Sequence, residues 1–303
     1  MEELIEKIMK LKKEREAVFL VHNYQLPEVQ DVADYLGDSL GLSQKAAQSK
    51  AKVILFCGVH FMAETASLLC PDKIVLIPEL EAGCPMANMI DGEGLQKIKK
   101  KNPGVPVVSY VNTTAEVKAE SDVCCTSANA AKVVNSLDPG ELIFVPDKYL
   151  GRYVQTQTDK RLILWEGYCP VHIRILKEDI LKLKEEHPEA EVVVHPECRP
   201  EVIALADRVL STTGMCHYVC ETQAVELIIG TEVGILHRLR KENPDKIFYP
   251  ASDRAVCDNM KKITLEKVLW SLEEMKYEVK VEGEIKERAR KAIKRMLQYS
   301  RTD

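Results

Sequence analysis

The feature that most constrains the fold is a repeat of about 85 residues along the whole chain. Three cysteines, Cys84, Cys169 and Cys257, are 85 and 88 residues apart, and each follows a predicted strand in a short turn. Polar motifs with the same period follow other apolar strands: Val21-His22-Asn23-Tyr24, Ser109-Tyr110-Val111-Asn112 and Val194-His195-Pro196-Glu197. One thiol and one polar strand end per copy predict a single site on a pseudo-threefold axis. Three thiolates converging there would hold a metal or an iron–sulfur cluster.

Composition limits the class of protein. The 303 residues, 46% of them hydrophobic, predict two or three domains with large cores. A formal net charge of −5 argues against nucleic acid as a partner, because nucleic-acid binding needs a basic face. The sequence shows no secretory signal and no apolar run of the ~20 residues that span a bilayer, so we expect a soluble, cytoplasmic protein without membrane contact. Its ten cysteines should then be reduced thiols or metal ligands rather than disulfides.

Short apolar runs alternate with amphipathic helical stretches, which is typical of α/β proteins. Strands this apolar on both faces predict three similar three-layer α/β/α domains in a pseudo-threefold arrangement. The expected domains are residues 1–88, residues 89–172, and residues 173–303, the last with the C-terminal helices. The predicted strands cover residues 17–21, 53–57 and 74–77, then 107–110, 142–145 and 162–164, then 192–194, 225–229 and 246–248.

The repeated thiols favour ligation over the buried position that a lone cysteine usually takes. With only three thiolates, a [4Fe–4S] cluster keeps one iron open, and that iron can bind a substrate oxygen as a Lewis acid. A zinc ion on three thiolates is the alternative. Cys216, His217 and Cys220, with Cys124 or Cys125, could chelate a further soft ion or simply occupy helix positions.

Hydroxyl-rich segments open three predicted helices: Ser39, Thr126-Ser127 and Ser211-Thr212-Thr213. Helix capping accounts for such residues. The free amides of a helix N-terminus also bind phosphate or carboxylate, so three converging termini would form a cage for a polyanionic substrate. The two interpretations are compatible.

The expected polar lining consists of His22, Tyr24, Tyr110, Asn112, His195 and Glu197. Any one of these side chains could be a satisfied core residue. Together they supply a carboxylate, two imidazoles and two phenols, which is enough for several proton transfers. We expect Glu197 and Tyr24 to act in acid–base steps, with Tyr110 as a third catalytic candidate, and the histidines to orient anionic oxygens.

In their order along the chain, these motifs resemble the quinolinate synthase family of de novo NAD (pyridine nucleotide) biosynthesis. The resemblance covers essentially the whole chain. Its other markers are Gly37-Asp38-Ser39, Phe61-Met62-Ala63-Glu64-Thr65, Gly83-Cys84-Pro85-Met86-Ala87, Thr126-Ser127-Ala128-Asn129-Ala130, Leu150-Gly151-Arg152-Tyr153, Cys169-Pro170-Val171-His172, His195-Pro196-Glu197-Cys198, Gly230-Thr231-Glu232-Val233-Gly234 and Cys257-Asp258-Asn259-Met260-Lys261. The resemblance implies a transferase with three α/β/α domains around a central active-site cavity.

The family resemblance also implies roles for particular residues. Cys84, Cys169 and Cys257 would be the ligands of a [4Fe–4S] cluster, and Tyr24 and Glu197 would move protons. The substrates, iminoaspartate and dihydroxyacetone phosphate, would be bound by His22, Ser39, Tyr110, Asn112, Ser127, His195, Glu197 and Thr212. Transient contact with the enzyme that produces iminoaspartate is a further expectation. An aconitase-like iron–sulfur hydro-lyase and a non-catalytic iron–sulfur sensor remain as alternatives.

Overall fold

Three parallel four-stranded sheets form the framework of the protein in a computed structural model that describes residues 1–301. The first sheet contains β1 (Ala17–His22), β2 (Tyr35–Gly37), β3 (Val53–Cys57) and β4 (Ile74–Leu76). The second contains β5 (Val107–Tyr110), β6 (Val123–Cys125), β7 (Glu141–Val145) and β8 (Arg161–Leu164). The third contains β9 (Glu191–Val194), β10 (Arg208–Val209), β11 (Glu226–Gly230) and β12 (Ile247–Pro250).

The three sheets share one strand order: β2-β1-β3-β4, β6-β5-β7-β8 and β10-β9-β11-β12. In each sheet the second strand lies at one edge beside the first strand, and the third and fourth strands lie on the other side of the first. The direction of the strand order therefore reverses beside the first strand. Ligands of open parallel sheets bind outside the carboxyl ends of the strands at such a reversal. The inner strands are buried along nearly their whole length, as helices on both faces require.

Helices cover both faces of the sheets, which confirms the α/β/α layers expected from the sequence. Those of the first unit are α1 (Glu2–Glu14), α2 (Pro27–Asp31), α3 (Ser39–Gln48) and α4 (His60–Leu69). The second unit has α5 (Gly92–Lys101), α6 (Ala115–Ala119), α7 (Ala130–Asn135) and α8 (Lys148–Gln155). The third has α9 (Lys177–Glu186), α10 (Pro200–Ile203), α11 (Thr212–Glu221) and α12 (Ile235–Glu242), and α13 (Leu265–Glu274) and α14 (Ile285–Met296) follow. Within residues 1–301, no helix combines the length and apolar character that crossing a membrane requires.

The second strand of each sheet is absent from the sequence prediction. These strands, β2, β6 and β10, contain only two or three residues, too few to show a period. An aspartate precedes each of them, and its carboxylate accepts the backbone N–H of a residue in the neighbouring first strand at 2.7–2.8 Å. The three aspartates are Asp34, Asp122 and Asp207. The same aspartate-to-backbone hydrogen bond thus fixes the short edge strand in all three units.

The two C-terminal helices pack on the first two units, although their place in the chain puts them with the third. Helix α13 packs against α1, and α14 packs against α4 of the first unit and α6 and β6 of the second. The domain boundaries at 88 and 172 remain predictions. Residues 302 and 303 of the predicted third domain lie outside the described residues.

Candidate active site

The polar strand ends of the three units line one central cavity of about 140 Å³. His22 ends β1, Tyr110 ends β5, and His195 directly follows β9. The residues two positions further along, Tyr24, Asn112 and Glu197, line the same cavity. Parallel strands present their carboxyl ends at one edge, so the shared strand order directs all three motifs inward.

The three repeated cysteines also line this cavity, one from each unit. Each follows the last strand of its sheet and precedes a short 3₁₀ helix. These helices span Met86–Met89 after Cys84, His172–Arg174 after Cys169, and Met260–Lys262 after Cys257. All ten cysteines of the chain are free thiols.

Backbone amides hydrogen-bond each of the three sulfurs. Burial raises the pKa of Cys84 to about 12 and also raises the pKa of Cys169 and of Cys257. Amides that follow each cysteine act in the opposite direction: Met86 and Ala87 on Cys84, His172 on Cys169, and Asn259 and Met260 on Cys257. An N–H group directed at sulfur favours the thiolate, which is the form that binds metals. The donor set and its surroundings therefore fit a thiolate-bound cluster.

Hydroxyl groups at segment starts line the cavity as expected, but the local structure differs between units. Ser39 is the first residue of α3, and the N-cap is Asp38, which accepts the Gly41 N–H at 2.9 Å. Ser211 caps α11, and Thr212 is its first residue. The expectation for Thr126 and Ser127 was wrong, because helix α7 begins only at Ala130. The Thr126 N–H instead donates to the Asn129 side chain at 2.8 Å in a turn.

His22 and His195 occupy equivalent turns with equivalent hydrogen bonds. The Tyr24 N–H donates to Nδ1 of His22 at 3.2 Å, and the Glu197 N–H donates to Nδ1 of His195 at 3.3 Å. Burial lowers the pKa of His22 to about 4 and that of His195 to about 3, so both are neutral near pH 7. A neutral ring that accepts at Nδ1 carries its proton on Nε2. Both histidines are therefore neutral donors.

Glu197 is the centre of a buried network that crosses the units. It accepts a short hydrogen bond from the Tyr110 hydroxyl, and its Oε2 lies 2.8 Å from Nδ1 of His172. On the other side of that ring, Nε2 lies 2.9 Å from Thr231 Oγ1, which is 2.5 Å from the Tyr24 hydroxyl. The ring of His172 also stacks on His195, with centroids 4.6 Å apart. A continuous chain of polar groups thus joins Tyr110 to Tyr24.

The charges in this network have opposite effects on its members. Burial alone would raise the pKa of Glu197, but the neighbouring imidazoles and the Tyr110 hydroxyl lower it to about 2. The carboxylate therefore owes its ionisation to these neighbours, which outweigh its burial. Burial and the Glu197 charge raise the pKa of Tyr24 and of Tyr110. Near pH 7 this network therefore places the ionised Glu197 between two phenols that keep their protons.

Every site residue expected from the sequence lines the cavity. His172, Thr231 and Asp38 were missed as members of the site, although each stands inside a motif that marks the family resemblance. Their partners come from other units, and spacing within one unit cannot reveal such contacts. Asn23, buried behind the wall, donates to Thr212 Oγ1 at 2.8 Å.

One other metal geometry is present in the cavity. Atoms of Cys169, His172 and Glu197 lie within 4.8 Å of one another, a sulfur, nitrogen and oxygen set that also suits zinc. Among residues 1–301 this is the only such group of three His, Cys, Asp or Glu side chains. The chelate considered at Cys216, His217 and Cys220 is therefore not formed: Cys216 is buried in α11, whereas Cys220 is exposed.

Comparison with known proteins connects the cavity to a family. Residues 6–298 match the family described as "Quinolinate synthetase A protein" (NadA). The chain is 61% identical over 291 residues to a "Quinolinate synthase" of Dehalococcoides mccartyi strain BAV1, covering 96% of each chain. It is 57% identical to a protein of that name from Methanosarcina barkeri and 54% identical to one from Thermodesulfovibrio yellowstonii, covering 97% of each chain in both cases.

Proposed function

The chain belongs to the quinolinate synthetase A protein family, and from this premise we propose that it condenses iminoaspartate with dihydroxyacetone phosphate to give quinolinate. It is an enzyme of the transferase class. The reaction releases one phosphate and two water molecules, and with these products its atoms balance without an oxidant or reductant. Its product feeds NAD biosynthesis.

The observation that carries the proposal is the convergence of one thiol from each unit on a cavity with a polar, hydrogen-bonded lining. Cys84, Cys169 and Cys257 would hold a [4Fe–4S] cluster, and the amides at each sulfur support the thiolate form. Such a cluster, held by three protein ligands, supplies an open iron that acts as a Lewis acid toward a substrate oxygen.

The anionic groups of the substrates suit the hydroxyl-lined parts of the wall. Ser39 and Thr212 begin helices of ten residues, where free amides and the helix dipole favour a carboxylate or phosphate. Nε2 of His195 donates to Ser127 Oγ at 3.2 Å, which leaves the Ser127 hydroxyl proton to donate to an anionic oxygen. His22 and Asn112 complete the polar wall.

Ring formation requires protons to leave carbon and nitrogen and to reach departing oxygens. Glu197 is the ionised group that accepts a proton, with His172 positioned at 2.8 Å to stabilise its charge. Tyr24 and Tyr110 keep their protons and serve as acids toward oxygen atoms of the reactants or leaving water, with the Tyr110 hydroxyl turning from Glu197 to do so. One positioned acid or base contributes roughly 10² to 10⁴ in rate.

The cytoplasm suits this chemistry, because reducing conditions there keep cysteine thiols available as ligands. Iminoaspartate has to come from an enzyme that oxidises or dehydrogenates aspartate, and transient contact with that enzyme would shorten its path. The formal net charge of −5 argues against nucleic acid as a partner.

The test is anaerobic reconstitution with iron and sulfide, followed by assays of bound iron and of quinolinate. We expect wild-type protein and Cys220→Ser, which alters an exposed thiol away from the cavity, to bind iron and form product. Cys84→Ser should lose both. Quinolinate formation by iron-free protein at the rate of the reconstituted protein would refute the proposal, and bound zinc without iron would refute the cluster.

A further inference from the structure

An ion pair between a fully buried carboxylate and a mostly buried ammonium group joins the turn after β11 to the loop that carries Cys257. The Glu232 side chain has no exposed surface, and its Oε1 lies 3.0 Å from Nζ of Lys261, whose side chain is 20% exposed. The same Nζ is 3.2 Å from Oε2. The pair lies behind the cavity wall, beside Met260, which lines the cavity. It takes no part in the chemistry proposed above.

The carboxylate of Glu232 fixes the backbone on which the Cys257 thiol is carried. Its Oε1 accepts the Cys257 N–H at 3.0 Å, and its Oε2 accepts the Gly234 N–H at 2.7 Å. The Lys261 N–H donates in turn to the Cys257 carbonyl at 3.3 Å. Both polar backbone groups of Cys257 therefore have partners within this pair. These contacts hold the backbone from which the Cys257 side chain extends.

The cation of Lys261 reaches the first unit as well. Its Nζ donates a short hydrogen bond to the carbonyl of Tyr24. The neighbour of Glu232, Thr231, contacts the Tyr24 hydroxyl at 2.5 Å. Tyr24 is thus held at its backbone and at its phenol by one turn of the third unit and the cation bound there.

The packing around the pair is close at Gly234. A Cβ added to Gly234 would lie 2.6 Å from Lys261 Nζ, 2.7 Å from Glu232 Oε2 and 2.9 Å from the Tyr24 carbonyl. Removing two charges from water costs several kcal/mol per ion, and well-packed apolar residues are often as stable. Stability alone is therefore a weak reason for a buried ion pair here, whereas fixed geometry is a strong one.

We propose that Glu232 and Lys261 are a positioning pair that holds the third cluster ligand, Cys257, and the proton donor Tyr24 in one fixed relation. The inference rests on the proposed function in taking Cys257 as a ligand. Groups that orient metal ligands through hydrogen bonds typically change metal affinity about 10- to 100-fold when they are lost. Retention of the cluster is therefore the property that this pair controls.

The test compares Lys261→Met, Lys261→Arg and Glu232→Gln after anaerobic loading with ferrous iron and sulfide. Each protein is then exposed to an iron chelator, and the rate of cluster loss is followed by visible absorption. We expect Lys261→Met and Glu232→Gln to lose the cluster about tenfold faster than wild type, and Lys261→Arg, which keeps the charge, to recover most of the difference. The matched control is Lys99→Met, which breaks a partly buried pair with Glu120 (3.4 Å) whose residues do not line the cavity, and it should release iron at the wild-type rate.

The outcomes separate this inference from the function on which it rests. Wild-type protein that takes up no cluster would overturn the proposed function and the inference together. Wild-type protein that takes up a cluster, with variants that release it equally slowly and have the same electron paramagnetic resonance spectrum when reduced, would overturn the inference alone. Failure of all three variants to fold, judged by circular dichroism of the apo-proteins, would assign the pair a structural role and also overturn it.

Discussion

At the residue scale, the three repeated polar motifs follow similar backbone paths but carry chemically different side chains at the same position. Tyr24, Asn112 and Glu197 each stand two residues past the first polar side chain of their motif, which is His22, Tyr110 or His195. Only Glu197 carries a charge, and it is ionised because His172 and Tyr110 contact it from another unit. The acid–base character of the site thus depends on contacts between units.

Replacing Glu197 with Gln removes this one charge with little change of shape. We expect quinolinate formation to fall by roughly 10² to 10⁴, the usual contribution of a positioned acid or base, while bound iron stays at the wild-type amount. Product assays and iron analysis on the same reconstituted sample measure the two quantities. Glu226→Gln is the control, since Glu226 accepts the Tyr249 hydroxyl at 3.1 Å away from the cavity. Equal activity of both variants would remove Glu197 from the mechanism.

Lys118 permits a pH prediction. Its side chain is fully buried, donates to the Thr113 carbonyl and lies 5.4 Å from the centre of the Phe61 ring. Burial lowers its pKa below the ordinary 10.5, so the unfolded chain binds the proton more tightly than the folded one. Keeping Lys118 charged and buried therefore lowers the free energy of unfolding. This destabilisation has its full size below the pKa of the folded state and disappears as pH rises to 10.5.

The free energy of unfolding of Lys118→Met should therefore exceed that of wild type by the largest amount near neutral pH. The advantage in free energy of unfolding should shrink as pH rises toward the unfolded pKa of about 10.4. Denaturant unfolding of the apo-proteins at several pH values measures it. The control is Lys182→Met, at a side chain that is 75% exposed, and its difference from wild type should not change with pH. A pH-independent difference for Lys118→Met would contradict the assignment.

At the scale of elements, the close approach of β9 and β11 sets the position of His195. Gly230 pairs with Val194, and a Cβ at Gly230 would lie 2.6 Å from Val194 Cγ1. Gly230→Ala should therefore push apart the two strands directly before the His195 turn. We expect a loss of about 1–3 kcal/mol in the free energy of unfolding, as for other overpacked sites, together with lower activity.

Gly140→Ala is the matched control for this substitution, because a Cβ there would meet nothing within 4 Å. It should keep full activity and equal or slightly exceed wild-type stability. Thermal unfolding and product formation of both variants test whether only Gly230→Ala loses stability and activity. Wild-type stability in Gly230→Ala would show that the strands accommodate the methyl group.

The elements also show why the sequence predicts some parts of this molecule and not others. The long inner strands, such as β3 and β7, follow directly from apolar runs, and the recurring thiols correctly indicated a shared cavity. The sequence pattern of residues 27–35 predicts a single helix, but α2 ends at Asp31 and β2 begins at Tyr35. Edge strands this short are formed by pairing and by the aspartate that precedes each, not by their own propensity. His172 was missed because its partner, Glu197, belongs to another unit.

At the scale of the whole molecule, the last helix joins two units. Helix α14 is amphipathic, and its buried face, which includes Ile293 and Met296, packs on α4 and on α6 with β6. The relative placement of the first two units therefore depends on apolar contacts made by the end of the chain. From its position in the sequence, α14 would be expected to pack on the third unit, which it follows.

Ile293→Ala should destabilise the protein by about 2–5 kcal/mol, the range for removing a fully buried aliphatic side chain. We also expect reduced activity in the fraction that remains folded, because the first two units each contribute a wall of the cavity. Lys294→Ala, on the exposed face of the same helix, should leave both properties near wild type. Thermal melts and assays on the folded fraction test this, and normal activity in Ile293→Ala would place α14 outside the alignment of the units.

The common strand order of the three sheets has a consequence for how reactants are recognised. Similar backbones end in a phenol, an amide and a carboxylate at matching places, so the path of the chain repeats while its chemistry does not. A small molecule bound in another orientation would meet the wrong partners. Discrimination between orientations, and with it the direction in which a ring can close, therefore depends on these three side chains together with the other polar groups of the wall.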